Sequence, residues 1–131
     1  MLLSDTSVQR LSGVHPDLVR VVDRAAKITS NDFVVVDGVR TLAQQEQKMK
    51  AGLSTTMHSR HLSGHAVDLA PLLGSSIPWD DKAKFLDLAE VMKKAADMEN
   101  VPITCGADWK TFPDLGHFEL PWDKYPLEVK T

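Results

Sequence analysis

Short runs of β-branched and aromatic residues are interspersed along this chain with longer segments of helical periodicity, and this mixture constrains the fold most. The two kinds of segment do not alternate regularly, as the βαβ units of a parallel sheet would. A chain of 131 residues suits one domain. We therefore predict an α+β fold in a single domain over residues 1–131, with a small, largely antiparallel sheet flanked by helices.

The predicted elements follow from periodicity and from residues that begin or end helices. Pro16 is tolerated in a first turn, and the apolar residues after it recur at helical spacing. Thr41 is suited to cap a second helix, and Asp80 to begin the longest one. The opening stretch 4–13 is interpreted as a cap or loop. The predicted helices are 16–29, 42–50 and 80–99, and the predicted strands are 33–36, 66–69, 103–105 and 117–120.

Charge and cysteine content narrow the classes of partner and site. The formal net charge is −3, with lysines and arginines scattered among acids, whereas nucleic-acid-binding proteins usually carry a basic excess. We therefore predict no nucleic-acid partner.

The single cysteine, Cys105, excludes an internal disulfide and a cysteine-rich zinc site. We find no secretory signal and no stretch near the roughly 20 apolar residues that span a bilayer. A cytoplasmic location is expected.

A histidine and a carboxylate lie seven residues apart in the segment SRHLSGHAVD, residues 59–68. Gly64 permits a tight bend between them, so that His61 lies in a loop and Asp68 in a strand. That strand places Asp68 on the same face as two alanines. A carboxylate among small apolar side chains is costly to bury without a cation or hydrogen-bond donors. A metal ion would supply the counter-charge.

A second candidate cluster lies in the segment DLGHFEL, residues 114–120. His117 opens a strand there, and Asp114 precedes it in a turn. Catalytic zinc sites use three nitrogen or oxygen ligands and keep a fourth position for water. His61, Asp68 and His117 meet this requirement. Zinc lowers the pKa of its bound water to about 7, and Asp114 is placed to accept and return the proton.

Each of these residues also has an ordinary interpretation when it is taken alone. A lone histidine is more often structural or exposed than a ligand, which applies above all to His15, His58 and His65. Asp68 alone is compatible with a hydrogen-bonded buried acid, and Glu119 with a solvated strand residue. The metal site is therefore predicted from the two segments in combination.

Both segments resemble the signatures of a known family. Residues 59–68 are similar to the S-x-H-x-x-G-x-A-x-D pattern of the D-Ala-D-Ala metallopeptidase (VanY-like) family, which includes D,D-carboxypeptidases, dipeptidases and phage endolysins. Residues 114–120 resemble its second signature, an acid followed after two residues by H-F-E. The aspartate at the start of that signature, and the segments 11–18 and 108–114, are most similar to the phage L-alanyl-D-glutamate endopeptidase endolysins.

The resemblance implies a role for each matching residue. His61, Asp68 and His117 would bind Zn²⁺, and Asp114 would be the catalytic acid and base. Arg40 would stabilise the oxyanion or a substrate carbonyl; its alternative is a surface arginine at a helix start. Supporting or substrate-positioning roles fall to Ser59, Gln44, Gln45 and His58.

The implied function is that of a zinc metallopeptidase, a phage endolysin that hydrolyses the L-Ala–D-Glu bond of peptidoglycan stem peptides and lyses the host cell wall. Two alternatives stay open: a D-Ala-D-Ala carboxypeptidase or dipeptidase of the same family, and a non-catalytic peptidoglycan-binding domain. We expect a monomer with no separate wall-binding domain, held in the host cytoplasm until a separate holin gives access to the wall. Trp109 and Phe112 either line a substrate cleft or belong to the core.

Overall fold

The fold combines four α-helices with a four-stranded sheet in a computed structural model that describes residues 1–52, 59–111 and 113–126. The helices are α1 (Asp5–Arg10), α2 (Pro16–Ile28), α3 (Leu42–Lys50) and α4 (Lys82–Glu99). The strands are β1 (Phe33–Asp37), β2 (Ala66–Pro71), β3 (Thr104–Cys105) and β4 (His117–Glu119). Short 3₁₀ helices span Arg60–Ser63 and Gly106–Asp108. The predicted α+β class is confirmed.

The strands lie in the order β1-β2-β4-β3, and every neighbouring pair is antiparallel. The central strands β2 and β4 are far apart in the chain but adjacent in the sheet. Their register places Asp68 directly opposite His117. The pairing of these two strands therefore brings the two candidate segments together.

Apolar side chains from α2, α4 and one face of the sheet form the core. Alternation along β2 directs Val67 and Leu69 into this core and Asp68 to the other face. In β4, Phe118 belongs to the core, whereas His117 points the other way. A fully buried large apolar side chain contributes about 1.5–3 kcal/mol relative to an exposed one, so the core holds the sheet firmly behind the candidate site. The helical members of the core include Leu18, Val21, Val22, Ala25, Leu88, Met92, Ala95 and Ala96.

The opening segment is not the predicted cap or loop, because Asp5–Arg10 forms helix α1. Ser4 caps this helix by accepting a hydrogen bond from the Ser7 backbone N–H at 3.1 Å. The buried Ser7 hydroxyl in turn accepts a hydrogen bond from the Val35 N–H of β1 at 3.0 Å. A helix of this length is unstable alone and depends on its contact with the sheet. Because the sequence does not show that contact, periodicity did not predict this helix.

The longest helix, α4, begins at Lys82, later than the predicted Asp80. Asp81 is the residue that caps it, since its carboxylate accepts a hydrogen bond from the Lys84 N–H. Asn100 ends the helix in the left-handed conformation, with φ of 57°. Among the described residues, no helix has both the length and the apolar character that a membrane span requires.

Candidate metal centre

His61 lies in the 3₁₀ helix Arg60–Ser63, a more regular setting than the predicted loop. Ser59 caps this helix, because its hydroxyl accepts a hydrogen bond from the His61 N–H at 3.2 Å. Gly64 ends it with a φ of 76°, and a Cβ there would collide with the carbonyl oxygen of Gly13. A glycine is therefore needed at the predicted bend for both conformation and space.

The structure brings together the three residues predicted to bind metal. One donor atom from each of His61, Asp68 and His117 lies within 4.8 Å of the other two. Oδ1 of Asp68 is 3.2 Å from Nε2 of His61 and 3.0 Å from Nδ1 of His117. Both histidines are buried. Asp68 is thus surrounded by imidazole nitrogens on the site face of the sheet.

Backbone hydrogen bonds orient the His61 ring. Its Nδ1 lies 2.7 Å from the carbonyl oxygen of Gly38, and a carbonyl can only accept, so Nδ1 carries the proton. The His61 carbonyl accepts a hydrogen bond from the Arg40 N–H, which links this 3₁₀ helix to the segment that follows β1. Nε2 of His61 is buried and makes no hydrogen bond with the described residues. Its lone pair is therefore available to a metal ion in the cluster.

The two ring nitrogens of His117 have the opposite roles from those of His61. Its Nδ1 faces Asp68, and its Nε2 lies 2.7 Å from Oε1 of Glu119. Burial lowers the pKa of His117, but the hydrogen bonds to Asp68 and Glu119 outweigh this and raise it to about 9. Burial likewise raises the pKa of Asp68, but the hydrogen bond with His117 and the adjacent ring of His61 bring it well below its ordinary value. The site thus favours an ionised carboxylate at its centre.

Arg40 is held beside the cluster by three side chains. Its Nε donates to Asp37 at 2.7 Å, its Nη1 to Gln45 at 3.0 Å, and its Nη2 to Oδ2 of Asp68 at 2.9 Å. Only 10% of the Arg40 side chain is exposed, so the alternative of a surface arginine is wrong. Gln45 is completely buried. The guanidinium is thus a fixed positive charge next to a candidate metal ligand.

Asp114 lies at the edge of the cluster, in the turn before β4. Its Oδ2 is 3.9 Å from Nδ1 of His117, and 56% of its side chain is exposed. Its backbone N–H donates to the carbonyl of Gly106 at 3.0 Å, which fixes the turn. Partial shielding from solvent, followed by the negative charge of Asp68, raises the pKa of Asp114. A carboxyl group with a raised pKa that is open to solvent is suited to proton transfer.

Known proteins are similar to this chain in both sequence and fold. The family model described as phage L-alanyl-D-glutamate peptidase matches residues 1–120. This chain is a member of that family. It is 32% identical over 122 residues to the L-alanyl-D-glutamate peptidase of Escherichia phage T5, covering 91% of this chain and 88% of that relative. The resemblance seen in the two signature segments is therefore confirmed.

Two further comparisons extend the family assignment. The chain is 29% identical over 102 residues to the L-alanyl-D-glutamate peptidase of Listeria phage A118, over 75% of this chain but only 34% of that relative. The crystal structure of the L-Ala D-Glu endopeptidase ChiX of Serratia marcescens matches with a TM-score of 0.88 and 36% identity. That match covers 95% of this chain and 93% of ChiX.

The remaining predicted site residues of this member of the phage peptidase family do not all lie near the cluster. The Trp109 ring lies 5.1 Å from the His117 ring and is 36% exposed, so it lies beside the cluster, and its role in a substrate cleft stays a prediction. Gln44 instead caps α3, where its side chain accepts a hydrogen bond from the Thr41 N–H. His58 and Phe112 lie outside the described residues, so their predicted roles stay predictions.

Two histidines outside the cluster have structural contacts. His15 caps α2, because its Nδ1 accepts a hydrogen bond from the Asp17 N–H at 3.1 Å. Nδ1 of His65 lies 2.7 Å from the Ser63 hydroxyl. The ordinary interpretation of both residues agrees with these contacts.

Two acids of the site were missed by the sequence analysis. Glu119 is not a solvated strand residue: it is only 8% exposed and is hydrogen-bonded to His117. The alternation of a strand puts residues two positions apart on one face, and this signal would have identified it. Asp37, the partner of Arg40, follows the β1 run with no local sign of its role.

Proposed function

We propose that this protein is a zinc-dependent peptidase that hydrolyses the L-Ala–D-Glu bond of peptidoglycan stem peptides. The observation that carries the proposal is the cluster of His61, Asp68 and His117 with Asp114 at its solvent-exposed edge. The names of its relatives in two phages and of the similar Serratia enzyme support the bond that is cut.

The donor atoms fit a catalytic zinc ion. Two imidazole nitrogens and one carboxylate oxygen are a ligand set typical of catalytic zinc, and the buried Nε2 of His61 otherwise has no hydrogen-bond partner among the described residues. Within the described part of the chain, no fourth histidine, cysteine or acid joins the cluster. Structural zinc sites usually have four protein ligands. Bound zinc would activate a water molecule and polarise the scissile carbonyl.

The surrounding side chains supply the remaining chemistry. Asp114 accepts the proton of the attacking water and delivers it to the leaving amine, for which its exposure and raised pKa are suitable. Arg40 contributes a fixed positive charge that favours the developing oxyanion. Trp109 forms a wall beside His117 against which a substrate peptide can pack. Ser59 and Gln45 keep His61 and Arg40 in place.

The proposal extends to the setting in which the enzyme works. The protein would act as a monomer and as a single catalytic domain. It would be held in the host cytoplasm until a separate holin permits passage to the cell wall. The named relatives favour this endopeptidase over a D-Ala-D-Ala carboxypeptidase or dipeptidase, and Asp114 beside the cluster favours catalysis over a binding domain.

Digestion of purified peptidoglycan, with products identified by mass, tests the proposal. We expect cleavage between L-Ala and D-Glu, abolished by a chelator and restored by zinc. His117→Ala should lose both zinc and activity, whereas His65→Ala, which removes a histidine outside the cluster, should retain both. Release of terminal D-Ala would instead identify a carboxypeptidase. Zinc binding with no cleavage of walls of several chemotypes would identify a binding domain.

A further inference from the structure

Glu119 and His117 lie two residues apart on the same face of β4, and their side chains are in direct contact. The distance between Oε1 of Glu119 and Nε2 of His117 is 2.7 Å. Glu119 is 8% exposed and His117 is 6% exposed, so solvent has little access to this hydrogen bond. A short hydrogen bond between an imidazole and a buried carboxylate is among the stronger polar contacts in proteins.

The backbone on both sides keeps Glu119 in place. β4 pairs with two strands, and Glu119 lies opposite Ala66 of β2 and Thr104 of β3. A residue in a strand that is paired on both edges has little freedom to shift. The carboxylate is therefore presented to His117 by the sheet itself, independently of any ligand.

This contact determines which nitrogen of His117 can bind a metal ion. An ionised carboxylate only accepts hydrogen bonds, so Nε2 must carry the proton in the neutral ring. The lone pair is then on Nδ1, the nitrogen that faces Asp68. Without Glu119, the proton of the neutral ring would be free to move to Nδ1 and block the metal-facing position.

The two histidines of the cluster are supported by groups of different charge. His61 donates to the neutral carbonyl of Gly38, whereas His117 donates to the anionic Glu119. Among the described residues, no lysine or arginine makes a direct ion pair with Glu119, although the buried Arg60 is near enough to interact with its charge. A buried carboxylate without such a partner is costly. A metal ion on the far side of the His117 ring would compensate its charge.

We propose that Glu119 is a positioning residue of the metal centre, which holds His117 in the tautomer that binds through Nδ1 and tightens metal binding. This inference rests on the proposed zinc site. Carboxylates behind metal-binding histidines typically change metal affinity by about 10- to 100-fold. Glu119 contacts the His117 ring at the nitrogen that does not face Asp68, so its effect should appear first in zinc affinity.

Zinc affinity, measured by competition with a chromophoric chelator, tests the role of Glu119. Glu119→Ala should bind zinc about 10- to 100-fold more weakly than the wild type. Glu119→Gln should lose less, because its amide oxygen still accepts the hydrogen bond but has no charge. Glu90→Gln, which removes the same charge from a side chain that is 75% exposed, is the matched control and should bind normally.

Nitrogen-15 NMR of the zinc-loaded proteins gives a second readout. We expect His117 of the wild type to show a slowly exchanging Nε2–H, shifted in Glu119→Gln and lost to exchange in Glu119→Ala. If Glu119→Ala does not fold, the nearly isosteric Glu119→Gln decides. Equal zinc affinity and an unchanged Nε2–H in that variant would overturn the inference and leave the proposed function intact. Failure of the wild type to bind zinc would overturn both.

Discussion

Nη2 of Arg40 lies 2.9 Å from Oδ2 of Asp68, on the opposite side of the carboxylate from the oxygen that faces the two histidines. The two oxygens of Asp68 are thus used for different purposes. Oδ1 is directed to the candidate metal position, and Oδ2 is bound to a guanidinium that Asp37 and Gln45 keep in place. This arrangement favours binding of a metal ion through one oxygen only.

Replacement of Arg40 should therefore affect both stability and catalysis. Arg40→Ala leaves Asp68 and Asp37 without their partner in a largely buried site, which should lower the free energy of unfolding by about 3 kcal/mol. Arg40→Lys keeps the charge but cannot hold three partners at once, so we expect an intermediate loss. Urea unfolding and kcat/KM on peptidoglycan fragments measure the two effects.

The matched control for Arg40 is Arg24, whose ion pair with Glu99 is at the surface. Arg24→Ala should cost less than about 1 kcal/mol and leave kcat/KM unchanged. An Arg40→Ala protein as stable and active as Arg24→Ala would show that the contact between Arg40 and Asp68 is unimportant.

Asp114→Asn should separate catalysis from metal binding. The amide cannot accept the proton of the attacking water, so kcat should fall by about 10²- to 10⁴-fold. Zinc content should stay at the wild-type level, because Asp114 lies outside the ligand cluster. Metal analysis and turnover on the same preparation measure both quantities. Asp108→Asn, at a carboxylate that is 60% exposed, is the control; wild-type turnover in Asp114→Asn would contradict the acid and base role.

The zinc-free protein should lose stability as the pH rises from about 6.5 to about 9. The pKa of folded His117 is about 9, above its ordinary value of 6.5, so folding favours the protonated ring. The resulting stabilisation is fully present below pH 6.5 and is lost as the pH passes 9. It amounts to roughly 3 kcal/mol. Chemical denaturation in the presence of a chelator, repeated across this range, measures the decline.

His117→Gln provides the control for this pH dependence, because glutamine does not ionise. Its stability should be nearly constant between pH 6.5 and 9. Zinc affinity of the wild type should change in the opposite direction and increase with pH, since His117 must release its proton to bind the metal. A wild-type stability that does not decline in this range would contradict the proton-binding role of His117.

Gly106→Ala should displace the Asp114 turn. A Cβ at this position would collide with the Asp114 carbonyl oxygen and lie 3.0 Å from the His117 Cβ. We expect lower zinc affinity, lower activity and a loss of stability of about 1–3 kcal/mol. In Gly74→Ala the new methyl group meets no other atom, although the backbone is strained. That variant should lose some stability and keep full activity; equal losses of activity in both would contradict the steric explanation.

The sequence was sufficient to predict the fold class, most helices and strands, and the three residues that meet in the candidate metal centre. These features depend on local information. Helical periodicity and caps act within a few residues, and the spacing of His61, Gly64 and Asp68 is encoded in one short segment. The resemblance to the peptidase family rests on the same local patterns and is confirmed by the comparisons.

Only the tertiary structure decided how the site is assembled, because that depends on contacts between distant parts of the chain. The pairing of β2 with β4 places Asp68 opposite His117. The carbonyl of Gly38, at the end of another strand, selects the free nitrogen of His61. Burial by neighbouring strands makes Glu119 a partner of His117, where the isolated sequence indicated a solvated residue. Such contacts have no local signature, since they arise from strand register and from burial.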